Sequence, residues 1–480
     1  MYPCVTLSGL NRVLGVVLGA SLSPARAADL DQFPDVVVTD LDSLWVFSGD
    51  GSGSSSEPRQ LFIGPEVEPW HLVTGDLTGD GVVDIVSAKR FGPHVTIHVG
   101  TGDGGFLDPL FLPTNPRAYD VDLGDFDGNG WLDIVVTCNN SEGPVEVHFN
   151  TGEGTVATVS GMFAEPVFLT PTSGDRGPFN SEVGDYNGDG VADLVVVNNE
   201  SENVTILLND GFGFLTPHAW FAAGEDPKAI KSGFINEDVH LDLVLTNYDA
   251  GEIGIFLGDG DGGFGFLDTY PAGVLPREIV LPDLNGDGVT DVVVAGGRGT
   301  DFIVRYLGNG DGTLASSAIV ETGPRPNSVD GSDFNLDGHD DVIAANWSLG
   351  DESLSSMSLL LGDGAGNLGP AVNYEPGVGF RKITALAVGQ FNQPLFLRGD
   401  ANGDGAVNIS DAITIVLVAI QSHPVDCLDA SDADDSGRVD LTDALMLFHY
   451  LFLTGGGPAA PFPGAGGDPT IDSLSCETGS

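Results

Sequence analysis

Basic residues are scarce in this chain. Its 480 residues include 17 Lys plus Arg against 70 Asp plus Glu, a net charge of −53. Such a surface repels phosphate backbones and anionic lipids, which argues against nucleic acid and acidic membranes as partners. Spread over oxygen-rich loops, the same charge calls for bound cations. No apolar run is long enough to span a bilayer, so membrane insertion is not expected. Linear catalytic signatures are missing too. There is no H-E-x-x-H, no G-x-S-x-G and no P-loop, and the nine His are scattered. Cysteine is rare. Once a leader-like start is set aside, Cys138, Cys427 and Cys476 remain, and an odd count cannot pair fully. Cys138 ends the apolar run that begins at Ile134 and reads as a buried free thiol. Cys427 and Cys476 bracket a C-terminal segment and could pair in an oxidising compartment.

That start, residues 1–27, has the grammar of a secretory signal. Arg12 gives the positive end, Val13 to Leu22 the apolar run, and Ala25-Arg26-Ala27 a small-x-small cleavage site. A secreted or cell-surface location is expected. The competing possibility is a buried N-terminal strand.

What the chain has in abundance is one phrase of Asp, Asn and Gly. It places oxygen side chains at positions 1, 3, 5 and 9, with Gly usual at 6. The copies are Asp76, Thr78, Asp80 and Asp84; Asp125, Asp127, Asn129 and Asp133; and Asp185, Asn187, Asp189 and Asp193. Two more follow at Asp283, Asn285, Asp287 and Asp291, and at Asp333, Asn335, Asp337 and Asp341. Position 7 adds a backbone carbonyl. The pattern matches the first part of an EF-hand loop and suits a hard cation that takes many oxygens, so calcium is expected at about five such sites. Asp, Asn and Gly also simply make turns, but that does not explain a fixed Asp at position 9, where each strand begins. Worn copies near Asp31 and at Phe234 to Asp242 lack the first acid.

First positions fall at 76, 125, 185, 234, 283 and 333, spaced by 49, 60, 49, 49 and 50 residues. Each repeat carries four strand-like runs. In the second they are Tyr119 to Leu123, Asp133 to Thr137, Val145 to Phe149 and Pro166 to Leu169. Four short strands per 40 to 50 residues point to a β-propeller with one blade per repeat. The N-terminus holds the second half of a repeat and the C-terminus the first half. Ile383 to Val388 would therefore join Asp35 to Val38, Leu44 to Phe47 and Gln60 to Ile63 in a seventh blade that closes the ring. The expected fold is all-β, a seven-bladed, monomeric propeller over residues 28–397. An open β-solenoid is the alternative.

The phrase G-D-x-N-G-D-G-x-x-D, followed by turns such as Leu257-Gly-Asp-Gly-Asp-Gly-Gly-Phe264 and Leu307-Gly-Asn-Gly-Asp-Gly-Thr-Leu314, resembles the FG-GAP or VCBS repeats of integrin-type propellers. The resemblance covers Ala28 to roughly Asn392. It implies seven blades with calcium between strands one and two of a blade.

From Arg398 the pattern changes. Asp400, Asn402, Asp404, Asn408 and Asp411 hold positions 1, 3, 5, 9 and 12 of a loop that runs into an apolar helical stretch. Asp432, Asp434, Ser436, Asp440 and Asp443 repeat it 32 residues on. Position 12 is Asp rather than the EF-hand Glu. The pair resembles a dockerin module over 398–454, which implies two further calcium ions and a cohesin-type partner. In that family positions 10 and 11 help recognition; here they are Ile409, Ser410, Leu441 and Thr442, without the usual paired hydroxyls. A calcium-dependent structural cap is the alternative. Residues 455–480 read as a Gly/Pro-rich tail.

Several of the scarce cations sit just before the inner strands: Arg117, Lys228, Arg277, Arg325 and Lys382, at −8, −6, −6, −8 and −8 from loop position 1. Even offsets put them on one side of their strands. A positive collar at the axial mouth would suit an anionic ligand such as a uronic-acid glycan or a carboxylate. Alternatively, these stems are buried for packing and their heads solvated. Three functions follow: a secreted binding or scaffolding protein for a glycan or protein ligand; a polysaccharide lyase or glycoside hydrolase brought to a complex by its dockerin; or a cell-surface adhesion protein.

Overall fold

In the computed structural model the described residues run from 34 to 391, apart from 50–57, 65–67, 103, 141–142, 153–161, 170–174, 348–354 and 375–382. Beyond them 412–416, 419, 431, 433, 438–439 and 441–453 are described. Residues 1–27, Cys427, Cys476, Lys382, the first dockerin-type loop and most of the second lie outside this set.

Among the described residues the chain forms seven four-stranded antiparallel sheets. Blades 2 to 7 are each built from one continuous segment. Blade 1 is composite: its inner strand Leu386–Gly389 comes from the far end of the propeller and pairs with Asp35–Asp40, followed by Ser43–Phe47 and Arg59–Phe62. Val36 lies opposite Val388, so the ring is closed by hydrogen bonds between residues about 350 apart in sequence. The expected all-β, seven-bladed fold closed by N- and C-terminal strands is the observed one.

The second strand of a blade is the most buried. Asp84–Lys89, Asp133–Cys138, Asp193–Asn198, Asp242–Asn247 and Asp341–Asn346 are buried at every residue. Each is covered on both faces by neighbouring blades, which is why these runs are continuously apolar and rich in β-branched residues rather than alternating. The core is correspondingly a set of seams. Val86 and Ile97 of blade 2 pack with Val121, Ile134 and Val136 of blade 3. Phe47 and Ile383 of blade 1 meet Ile343 and Met357 of blade 7. Outer strands are half exposed, as in Thr216–Ala222. Inner strands touch in ring order and line the axis.

Past the propeller, 412–416 are helical and Leu441–Leu453 form a helix. Ala412, Ile415, Ala433, Ala444 and Leu447 close a small core between them. No helix among the described residues is long and apolar enough to cross a membrane.

Candidate functional site

The ring has two working faces. One carries the Asp-Gly loops and the turns between third and fourth strands; the other carries the approaches to the inner strands.

On the loop face, position 1 organises each loop. Asp185 Oδ1 accepts from the Gly188 and Asp189 N–H groups, and Oδ2 from Gly190 N–H. Asp76 and Asp283 repeat all three bonds. Position 3 accepts from the N–H of position 5, and position 5 from that of position 7, as in Asn187, Asp189 and Val191. Positions 4 and 6 need positive φ, met by Gly188 (73°) and Gly190 (83°). The side chains at 1, 3 and 5 are thus gathered by the backbone before any ion is considered. In blade 3, carboxylate oxygens of Asp125, Asp127 and Asp133 lie within 4.8 Å of one another. An all-oxygen donor set of this kind fits a hard cation.

Position 9 does something the sequence did not reveal. In all seven blades its carboxylate joins two backbone N–H groups, one from loop position 2 and one from the end of the third strand or just after it. Asp84 takes Leu77 (2.9 Å) and Gly100 (2.8 Å); Asp193 takes Tyr186 (3.0 Å) and Asn209 (2.8 Å). In the composite blade Asp35 takes Phe391 and Gly49, both at 3.0 Å, tying the two ends of the propeller together. These acids are fully buried, and burial pushes Asp84 up to about 8, Asp133 to about 7 and Asp193 to about 6. They are staples of the fold whatever else they bind. The worn loop of blade 5 keeps its staple: Asp242 accepts from Ile235, Asn236 and Gly258 N–H. It lacks the first acid, replaced by a half-exposed Phe234, and Glu237 N–H bonds instead to Gly310 of blade 6.

The opposite face is where the scarce cations gather, though not all those expected. Residues at −8 adopt left-handed backbone: Glu68, Arg117, Asp226, Leu275 and Arg325 have φ between 40° and 70°. They form turns before the strands, so strand alternation does not carry from −6 to −8. Arg117 and Arg325 do not line the axial mouth; Lys228 and Arg277 do. Lys382 lies outside the described residues. At −6 each blade sends one residue to the mouth: Trp70, Tyr119 and Phe179 on blades 2 to 4, Lys228 and Arg277 on blades 5 and 6, Asn327 and Thr384 on blades 7 and 1. The pairing register skips at −6 in blades 2, 3, 4, 5 and 7. Such a bulge turns an otherwise in-plane side chain toward the axis.

Trp70 and Tyr119 have ring centroids 5.2 Å apart, as do Tyr119 and Phe179, making a tilted aromatic wall over three blades. Lys228 sits 4.4 Å from the Phe179 ring and pairs with Asp226 at 2.7 Å. Below the mouth an axial cavity of ≈ 310 Å³ is lined by His71, Asp122, Lys231, Glu278 and Asp330 among others. Burial opposes charging His71, but Asp120 at 2.7 Å outweighs it and holds the imidazole up at about 9. Glu182 holds Lys231 well above its usual range. Several of these acids stitch blades: Asp120 takes Ser181 N–H and Oγ–H, and Asp330 takes Val388 N–H. The aromatic half of this mouth was missed because the bulge breaks strand periodicity; a recurrent large or charged residue at −6 was the available signal.

Of the expected docking residues, Leu441 and Thr442 are exposed and Asp443 is buried. Ile409 and Ser410, and the loop ligands Asp400 to Asp411 and Asp432 to Asp440, lie outside the described residues.

The FG-GAP-like repeat family matches residues 28–87, 83–136, 125–196 and 283–344, leaving out the worn loop at 234–242. The dockerin type I domain family matches 398–452. No curated protein matches the chain. Among solved structures, a lectin from Agrocybe aegerita that recognises non-reducing terminal N-acetylglucosamine is similar with a TM-score of 0.53 and 20% identity, over 75% of this chain and 96% of the lectin. The periplasmic gluconolactonase of Pseudomonas aeruginosa has a TM-score of 0.55 and 16% identity, over 75% of this chain and 100% of that one. A protein from Lactobacillus plantarum has 0.54 and 14%, over 75% and 100%. At these identities the likeness shows the fold alone. The chain carries FG-GAP-like repeats in a seven-bladed β-propeller, followed by a dockerin type I domain.

Proposed function

We propose that this is a secreted, calcium-stabilised propeller that binds a glycan at its axial mouth and is carried to a cohesin-type partner by its dockerin domain. The observation that carries this reading is the mouth itself. Seven blades each deliver one residue at the same offset, and five do so through a bulge. The result is a wall of aromatic rings beside two cations, at a place where strand packing asks for neither. Calcium is supported by the all-oxygen loops, whose position-1, -3 and -5 side chains the backbone has already gathered. Docking is supported by the helical segments. Ile413 and Leu445 hold equivalent places, two residues after position 12 of their loops, and are 50% and 64% exposed; Leu441 is 48% exposed. Paired apolar side chains left in solvent suit a protein partner.

The test uses the full chain. Immobilised on a type I cohesin, it should be retained in calcium and released by chelator. A polysaccharide panel should then find a bound glycan whose retention falls with Trp70→Ala. Retention indifferent to Trp70→Ala would refute the mouth, and no cohesin complex would refute the docking.

One observation favours a second reading, a polysaccharide-degrading enzyme. Glu278 lines both mouth and cavity, and the hydrogen bond described for its side chain is a long one, 3.4 Å from its own neighbour Ile279 N–H. A carboxyl with spare capacity in a ligand site can serve as acid or base. Product release from acidic polysaccharides that Glu278→Gln abolishes would support it; no turnover by the wild type would end it.

A further inference from the structure

Arg277 is a cation at the mouth with no carboxylate in ion-pair contact among the described residues, in a chain where acids outnumber Lys and Arg by 70 to 17. Arg90 pairs with Glu68 at 3.5 Å, Lys228 with Asp226 at 2.7 Å and Lys231 with Glu182 at 3.1 Å. No ion pair within 4.0 Å is found for Arg277 among the described residues, although it lines the mouth. It sits instead among three rings, 5.7 Å from Trp70, 5.1 Å from Tyr248 and 5.8 Å from Trp347. Its Nε is buried without a hydrogen-bond partner. A hydrogen bond with the Tyr248 side chain engages part of the guanidinium, while the rings steady its faces and leave the rest of the in-plane N–H fork open. That fork is the group which takes a carboxylate through two parallel bonds.

We propose that the axial mouth takes a carboxylate-bearing sugar unit, its ring against the Trp70–Tyr119–Phe179 wall and its carboxylate on the Arg277 fork. This rests on the reading of the mouth as the ligand site and names the chemistry of that ligand. An aromatic wall suits the C–H face of a sugar ring and has no use for a bare phosphate. One guanidinium without an ion pair among the described residues suits one carboxylate. Lys228, already neutralised by Asp226, contributes a weaker second attraction. The floor supplies a hydroxyl partner in Glu278. Its negative charge is moderated, because His71 faces Asp120 and burial pushes Glu278 up from its ordinary value.

The experiment is calorimetric titration of the full chain, in calcium, with oligogalacturonates and with the same oligosaccharides after reduction of their carboxyls to alcohols. The charged series should bind about tenfold to hundredfold more tightly, the worth of a charge-assisted hydrogen-bonded pair. Arg277→Gln should erase that difference, Arg277→Lys should keep part of it, and Trp70→Ala should weaken both series. Arg298→Gln, which changes a cation stacked on Trp347 at 5.3 Å but not lining the mouth, should alter neither. Equal binding of charged and reduced series that still fell with Trp70→Ala would overturn the carboxylate assignment and leave the mouth as a ligand site. Binding indifferent to Trp70→Ala, or none by either series, would overturn both. The comparison of the two series on wild-type protein needs no variant to fold.

Discussion

Replacing Asp242 by Ala separates the staple from the metal. Blade 5 lacks the first acid of a cation loop, yet Asp242 keeps its bonds to Ile235 and Asn236 N–H, both at 3.1 Å, and to Gly258 N–H at 2.9 Å. Without the carboxylate, the N–H of the fully buried Ile235 loses its partner, while water can reach the half-buried Asn236 and Gly258. A buried donor without a partner costs about 1–3 kcal/mol, and the two wetter ones cost less. Removing an acid that burial pushes above its ordinary value returns part of this. The net expectation is a loss of about 2–3 kcal/mol. Calorimetric melts should therefore fall by several degrees, given about 2–4 °C per kcal/mol for domains of 150–250 residues and somewhat less for a longer ring. The fall should be the same in calcium and in chelator. Asp185→Ala is the contrast. Its bonds go to the exposed N–H groups of Gly188, Asp189 and Gly190, which water can satisfy, so it should lower the melt in calcium and change it little in chelator. An Asp242→Ala melt equivalent to less than about 0.5 kcal/mol, or a fall seen only in calcium, would refute the staple.

Other consequences are as direct. Lys89 is fully buried with one hydrogen bond, to Ile63 O at 2.7 Å, and burial lowers it from 10.5 to about 7. Between those values the unfolded chain holds more protons, so wild-type stability should rise with pH from about 7 and the penalty should be complete below it. Lys89→Met should stabilise most below pH 7, with the gain shrinking toward pH 10, in melts compared across that range; a pH-independent difference would contradict this. The Cys138 thiol is buried against Glu146 at 3.4 Å, and burial and that carboxylate push it up. Iodoacetamide should not label it in the native protein and should do so after denaturation; native labelling at the denatured rate would count against the packing.

Much of the fold could be read from the sequence because the repeats state their own period. The β-branched runs after each position 9, the turn phrases and the split repeat at the two ends were enough to place the strands quoted above within one to three residues and to close the ring. The loop acids were recognised by type, but position 9 was assigned a single task. One carboxylate can accept two backbone bonds and still face a cation, and spacing alone cannot show the first. The mouth was half legible. Lys228 and Arg277 stood out because cations are rare. Trp70, Tyr119 and Phe179 did not, since a bulge at −6 breaks the alternation by which a strand's facing side is inferred. Arg117 and Arg325 were grouped with them because left-handed residues at −8 cannot be told from extended ones by offset.

Hydrogen–deuterium exchange on the full chain, with and without an acidic oligosaccharide mixture, most directly tests the proposed ligand site. A ligand at the axial mouth predicts new protection in peptides spanning Trp70–His71, Tyr119–Asp120, Phe179–Asn180 and Arg277–Glu278, with the outer strands unchanged. Protection confined to outer strands or to the grooves between blades, or none anywhere, would contradict it.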